Sequence, residues 1–253
     1  MLKKIQPTLI LIALALILAS CNDSPKKQQT KPTEKTEATK PESPSKLYVI
    51  APSGLILRER ANLDSKRIDK LPYGSAVKVI SDQTDNSLEV ANIPGSMLNV
   101  KYKDTSGYAY SGYLVKFPTP KRGENANQYG QRLKSDYPEV GFKTENKKNE
   151  NDASTQLILT LPTQNWSEAF LIAKQLYDIP AEFEFPRING PSQSTFKGSS
   201  SRKNITATSL TAKRTDDSLY EIEYSEAGKS FERLVKIIKN DSVFELTEEV
   251  TDH

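Results

Sequence analysis

Between residues 47 and 118 apolar and polar positions alternate in short runs, each beside a glycine turn. Leu55 and Leu57 alternate with Gly54, Ile56 and Arg58, the period-two pattern of a strand with one buried face. Val77 and Val79 alternate with Ala76, Lys78 and Ile80 after the turn Pro72-Tyr73-Gly74, where glycine supplies a positive φ. A third run, Gly107-Tyr-Ala-Tyr-Ser-Gly-Tyr-Leu114, closes the block. The pattern predicts a small all-β barrel, stopped by Phe117-Pro-Thr-Pro120 because proline removes ladder donors.

The alternation then lapses. Residues 119–155 are polar, with a weak helical signal near Asn125 to Tyr137 (Tyr129, Leu133 and Tyr137 at i, i+4, i+8) and a charged run at 143–152; they are expected to be a polar linker with one loosely held helix. Regularity returns at Gln156-Leu-Ile-Leu-Thr-Leu161, a strand ended by Pro162. Asn165 followed three residues later by Glu168 is an N-cap with a capping-box partner. The helix it opens, Trp166 to Tyr177, places Trp166, Ala169, Phe170, Ala173, Leu176 and Tyr177 on one apolar stripe. Residues 189–203 are expected to be a flexible loop. Strands follow at 205–212, 219–224, 231–239 and 242–247, with Tyr220, Ile222 and Tyr224 on the buried face of the second and Asn240-Asp241 as a turn, an antiparallel meander. The predicted fold class is mainly β with α+β: a small barrel followed by a separate α+β domain, one main helix packed on the meander. Predicted bounds are 47–118 for the barrel, 119–155 for the linker and 156–253 for the second domain.

The order Ser-Gly-Leu-x-Leu-Arg (53–58), Leu-Pro-x-Gly-x-x-Val-x-Val (71–79), Gly-Tyr-x-x-x-x-Tyr-Leu (107–114) resembles bacterial SH3-like (SH3b) domains. The position where such domains usually carry tryptophan in the strand before the last holds Met97 or Leu98 here. The resemblance implies an SH3-like barrel and binding rather than chemistry, with cell wall, peptidoglycan stems or a protein as ligand. Tyrosine combines rigid area with a hydroxyl, the equipment of a peptide-binding surface. Tyr73, Tyr102, Tyr108, Tyr110 and Tyr113, with Arg58, are therefore the candidates for a ligand groove; the alternative is that Tyr108, Tyr110 and Arg58 only close the barrel. Tyr108 and Tyr110 share a strand face by spacing, with Tyr113 on the opposite one.

The N-terminal stretch changes the setting. Lys3 and Lys4 precede eleven consecutive apolar residues, Leu9 to Ala19. At 1.5 Å per residue these span only about 16 Å against a hydrocarbon core of about 30 Å, so residues 1–20 read as a signal peptide. Leu18-Ala19-Ser20-Cys21 matches a lipobox, predicting diacylglycerol on the thiol of Cys21 and palmitate-type acylation that holds the protein to a bilayer outside the cytoplasm. The alternative is an ordinary signal peptide followed by a free cysteine. Asn22 and Asp23 leave the choice of membrane open, with the outer membrane favoured. Residues 22–46 hold four prolines and no large apolar side chain, a composition that cannot repay ordering entropy, so 21–46 is expected to be a disordered tether.

Composition adds exclusions. The chain has 35 basic and 32 acidic residues, and this balance offers no electrostatic footprint for nucleic acid. Its one cysteine is assigned to lipid and its one histidine is His253, so neither a Cys-His nucleophile nor a histidine-ligated zinc site can be assembled. No cofactor is expected. Carboxylate chemistry remains: Glu168, Glu182, Glu184, Glu221 and Glu223 are the acids in apolar surroundings, and a pair of them is the minimum for glycan hydrolysis. Alternation directs Glu221 and Glu223 to solvent, and Glu168 fits a helix cap. The leading expectation is a non-catalytic envelope lipoprotein that binds peptidoglycan or an envelope protein through its barrel. An adaptor or inhibitor acting through the C-terminal domain is the second reading and a glycan hydrolase the third.

Overall fold

The computed structural model describes residues 46–81, 87–148, 153–199, 204–216 and 218–252. Residues 1–45, on which the expected signal peptide, the acylated Cys21 and most of the expected tether fall, and His253 lie outside the described residues.

The barrel contains β1 (Lys46–Val49), β2 (Leu55–Arg58), β3 (Arg67–Leu71), β4 (Ala76–Ser81), β5 (Leu88–Val90), β6 (Ile93–Gly95), β7 (Met97–Tyr102), β8 (Thr105–Tyr110) and β9 (Leu114–Val115), with a 3-10 turn at Ser111–Tyr113. One sheet runs β3-β2-β8-β7-β4-β1-β9, and β5-β6 is a separate hairpin. The alternation predicted for β2 is present and that for β4 in part: Leu55, Leu57 and Val77 are buried and Val79 is half-buried, while Ile56, Arg58, Ala76, Lys78 and Ile80 are partly or fully exposed. They pack with Leu71, Met97, Val100 and Ala109. The β1–β2 turn depends on Gly54, whose φ is +83° and where a Cβ would lie 2.7 Å from the Leu71 carbonyl oxygen; an L side chain is excluded on both counts.

The stretch expected to be a linker is structured. It forms α1 (Ala126–Asp136) and β10 (Gly141–Lys148). Asn125 caps α1 through a full capping box, accepting from Gln128 N at 2.9 Å while Asn125 N donates to Gln128 Oε1 at 3.1 Å. Tyr129 and Leu133 are fully buried. β10 pairs along its whole length with β11 (Ala153–Leu161). It is charged because it is an edge strand, where charge blocks pairing with other chains and is not selected against by burial.

The remaining elements are α2 (Trp166–Leu176), β12 (Gln193–Gly198), β13 (Ile205–Thr215), β14 (Ser218–Gly228), β15 (Phe231–Asn240) and β16 (Val243–Asp252). They build a seven-stranded antiparallel sheet in the order β10-β11-β16-β15-β14-β13-β12. β12 replaces part of the loop expected at 189–203, pairing with β13 from Gln193↔Lys213 to Gly198↔Thr208. Arg214 organises the chain before it: buried, it donates to the carbonyls of Arg187, Ile188 and Pro191 and to the Ser194 hydroxyl. A register shift between Lys213 and Arg214 exposes Tyr220 and buries Leu219 instead, while Ile222 and Tyr224 keep the predicted inward face.

α2 is buried nearly all round, Leu171 and Ile172 included, rather than along the single stripe its periodicity predicts. It lies between β15 and β16 on one side and the 3-10 turn of the barrel on the other, which covers more of its circumference than one apolar stripe would. Ile50, Ile93, Val115 and Phe117 of the barrel accordingly join the core formed by α1, α2 and the second sheet.

Candidate functional site

The segment after β9 joins the two sheets and is gripped by three elements. The Tyr73 hydroxyl, in the β3–β4 turn, donates to the Pro120 carbonyl at 2.6 Å. From α1, Tyr129 donates to Pro118 O at 2.9 Å and Arg132 to Thr119 O at 3.1 Å. From α2, Glu168 accepts from Lys116 N at 2.5 Å and more weakly from Phe117 N at 3.4 Å. Phe117 meets Tyr137 edge-on at 5.4 Å, and the Tyr137 and Tyr48 hydroxyls are 3.2 Å apart.

Glu168 is a buried carboxylate engaged from two sides. Asn165 caps the helix as predicted, accepting from Ser167 N and Glu168 N. The Glu168 side chain turns away from the cap to receive the Thr163 hydroxyl at 2.6 Å and the barrel's backbone. Burial pushes its pKa above 4.5, opposed by those hydrogen bonds. The other predicted acids are dispersed: Glu221 and Glu223 both bind Lys213, at 2.7 and 3.0 Å, Glu182 accepts from Ser199 N, and Glu184 accepts from Asn92 of the barrel. No cluster of side chains able to hold a metal is present among the described residues. No helix among them is long and apolar enough to cross a membrane.

The predicted groove residues divide into two groups. Arg58 is opposite Tyr108 in the β2–β8 pairing, and its guanidinium donates to Ser65 O at 2.7 Å, bracing the β2–β3 loop. Tyr108 is half-buried. Tyr110, two residues on, is buried under the β5–β6 hairpin, where its hydroxyl donates to Ile93 O at 2.6 Å with Leu88 O at 3.1 Å; burial pushes its pKa up to about 12. Tyr113 does not point away from this pair. The strand ends at Tyr110, and the 3-10 turn brings the Tyr113 ring to 6.1 Å from that of Tyr110. Burial, and then the charge of Glu184, raise the Tyr113 pKa. Tyr102 is half-buried at the end of β7, with the Lys103 ammonium 5.1 Å from its ring centre.

Tyr73 belongs elsewhere. With Tyr48 it lines an open cleft of about 670 Å³ between the β1–β2 and β3–β4 turns and residues 118–122. A second cleft of about 510 Å³ continues past Tyr73 and Pro120 to Gln175, Asp178, Arg233 and Glu248. Periodicity points to neither, because their walls combine turns with residues from separate helices and strands. The available signal was the recurrence of proline beside these turns, at Pro52, Pro72, Pro118 and Pro120. A third cleft, of about 450 Å³, is lined by Phe183, Phe185, Phe196 and Leu210 with Glu182 and Glu184.

Residues 53–115 match the bacterial SH3 domain family. No curated protein and no solved structure matches the chain. The match covers β2 through β9, so the barrel carries an SH3-like domain and the β-rich sheet with its two helices is a further region beyond it.

Proposed function

We propose that the protein is an envelope lipoprotein, held to a bilayer by acyl chains on Cys21, that binds peptidoglycan or an envelope protein through its SH3-like barrel without catalysis. The observation that carries this reading is the bacterial SH3 match at 53–115, since modules of this kind serve binding. The short apolar run ending in Leu18-Ala19-Ser20-Cys21 supports the anchor. Engagement of Glu168 by hydrogen bonds and of Glu221 and Glu223 by ion pairs to Lys213 supports a non-catalytic role. The full chain in nonionic detergent is expected to be retained on purified sacculi and to take up a fatty-acid probe in cells that Cys21→Ala does not take up. Absence of retention rejects wall binding, and an unlabelled wild-type protein rejects the anchor.

An adaptor role for the C-terminal region is favoured by one observation: Phe196 on edge strand β12 is 52% exposed beside the third cleft. Phe196→Asp separates the readings, because it is expected to abolish crosslinking to a protein partner while leaving retention on sacculi intact. Deleting residues 156–253 does not, since their side chains complete a core that includes Ile50 and Phe117.

A further inference from the structure

The clefts on either side of residues 118–122 are continuous, sharing Pro52, Tyr73, Pro120, Lys121 and Arg122. Their common wall is held in place by the bonds from Tyr73, Tyr129 and Arg132, so the groove is already shaped before anything occupies it. The first cleft presents tyrosine and proline surfaces, including Tyr48 and Tyr73. Its formally charged lining residues are Lys70, Lys121, Arg122 and Arg132, all cations. Arg132 is committed to Glu124 by two bonds, at 2.7 and 2.6 Å. Lys70, Lys121 and Arg122 are exposed. The second cleft carries Glu124, Asp178 and Glu248 beside Arg233, so in a chain with 35 basic and 32 acidic residues the concentration of exposed positive charge belongs to the first cleft.

The geometry points to this cleft as the docking site for an extended acidic peptide segment of a protein partner. The segment's backbone lies along Tyr48 and Tyr73, and its carboxylates meet Lys70, Lys121 and Arg122. Charge complementarity selects an acidic occupant, and the concave Tyr-Pro surface selects a chain over a flat lipid surface. The protein's own residues 22–45 are not complementary, holding five lysines against four acids. The inference rests on the binding-module reading and narrows it, because it names the chemistry of the partner and includes side chains from beyond the barrel.

The test uses the full chain in nonionic detergent and a fluorescein-labelled decapeptide of alternating glutamate and serine, compared by anisotropy with its glutamine-serine counterpart. The acidic peptide is expected to bind at least roughly tenfold more tightly at low salt, and to weaken as salt screens the contact. The double variant Lys70→Glu/Arg122→Glu, and Lys121→Glu alone should the double variant misfold, is expected to remove that preference. Equal affinity for the two peptides, or a preference that survives charge reversal in a folded variant, overturns the proposal. So does displacement of the peptide by dextran sulfate that is as strong in the reversed variant as in wild type. Retention on sacculi is measured in parallel: a retained chain that ignores the acidic peptide overturns this inference alone, and a chain that binds neither overturns the wall reading as well.

Discussion

Glu168 illustrates how one side chain acquires a role that its local sequence does not announce. The spacing from Asn165 marks it as a capping-box partner, yet its carboxylate serves the barrel's backbone and Thr163 instead. Glu168→Ala strands the Lys116 N–H and the Thr163 hydroxyl, and is expected to cost about 2–3 kcal/mol by chemical denaturation. Glu168→Gln keeps an acceptor for Lys116 N and is expected to cost less. The two forms also differ in pH response. Burial raises the folded pKa above 4.5, so the folded chain holds this proton more tightly than the unfolded chain. The contribution is therefore most favourable below pH 4.5 and is lost as pH rises through the folded value. Wild type should lose stability relative to Glu168→Gln across that window, and a difference that stays constant with pH would show that the carboxylate is not buried as described. Glu124 runs the other way. Burial raises its pKa, but the hydrogen bonds from Arg132 and Lys121 N outweigh that and hold it below 4.5. Its contribution is present above pH 4.5 and is lost on acidification, in both proteins alike.

At the scale of elements, α1 and β10 show where a sequence reading reaches its limit. The spacing of Tyr129, Leu133 and Tyr137 was visible, and so was the polarity of 143–148. Neither reveals that α1 packs against β10 through Gly130, where a Cβ would lie 2.2 Å from the Phe142 ring. Gly130→Ala adds helix propensity worth about 1 kcal/mol, but displacing the ring costs about 1–3 kcal/mol. The variant is expected to be destabilised by roughly 1 kcal/mol, and a raised melting temperature would contradict the close approach. The barrel strands were far more legible, since Leu55, Leu57 and Val77 point inward as their period requires. β12 was hidden by its serine- and glycine-rich flanks, and its pairing is supported from the side by Arg214.

For the molecule as a whole, the shared core makes a thermodynamic claim. Ile50, Ile93, Val115 and Phe117 pack with Trp166, Phe170 and Tyr177, so neither sheet can open without exposing apolar surface of the other. A single unfolding transition is expected, with Trp166 fluorescence and far-ultraviolet circular dichroism coinciding. Trp166, edge-on to Phe244 at 4.6 Å, reports on this core. Two separated transitions would show that barrel and second sheet fold independently and that the grip on residues 116–120 contributes little.

Alternation and turn residues were enough to mark β2, β4 and β8 of the barrel and the main helix with its Asn165 cap, because each depends on neighbours within a few residues. The tertiary structure alone decided that α2 is covered on two sides, that Glu168 serves a backbone some fifty positions away, that Tyr110 is spent on the β5–β6 hairpin, and that Tyr48 and Tyr73 meet exposed cations in one cleft. These outcomes depend on which surfaces dock, and docking brings together residues whose separation along the chain carries no periodic signal.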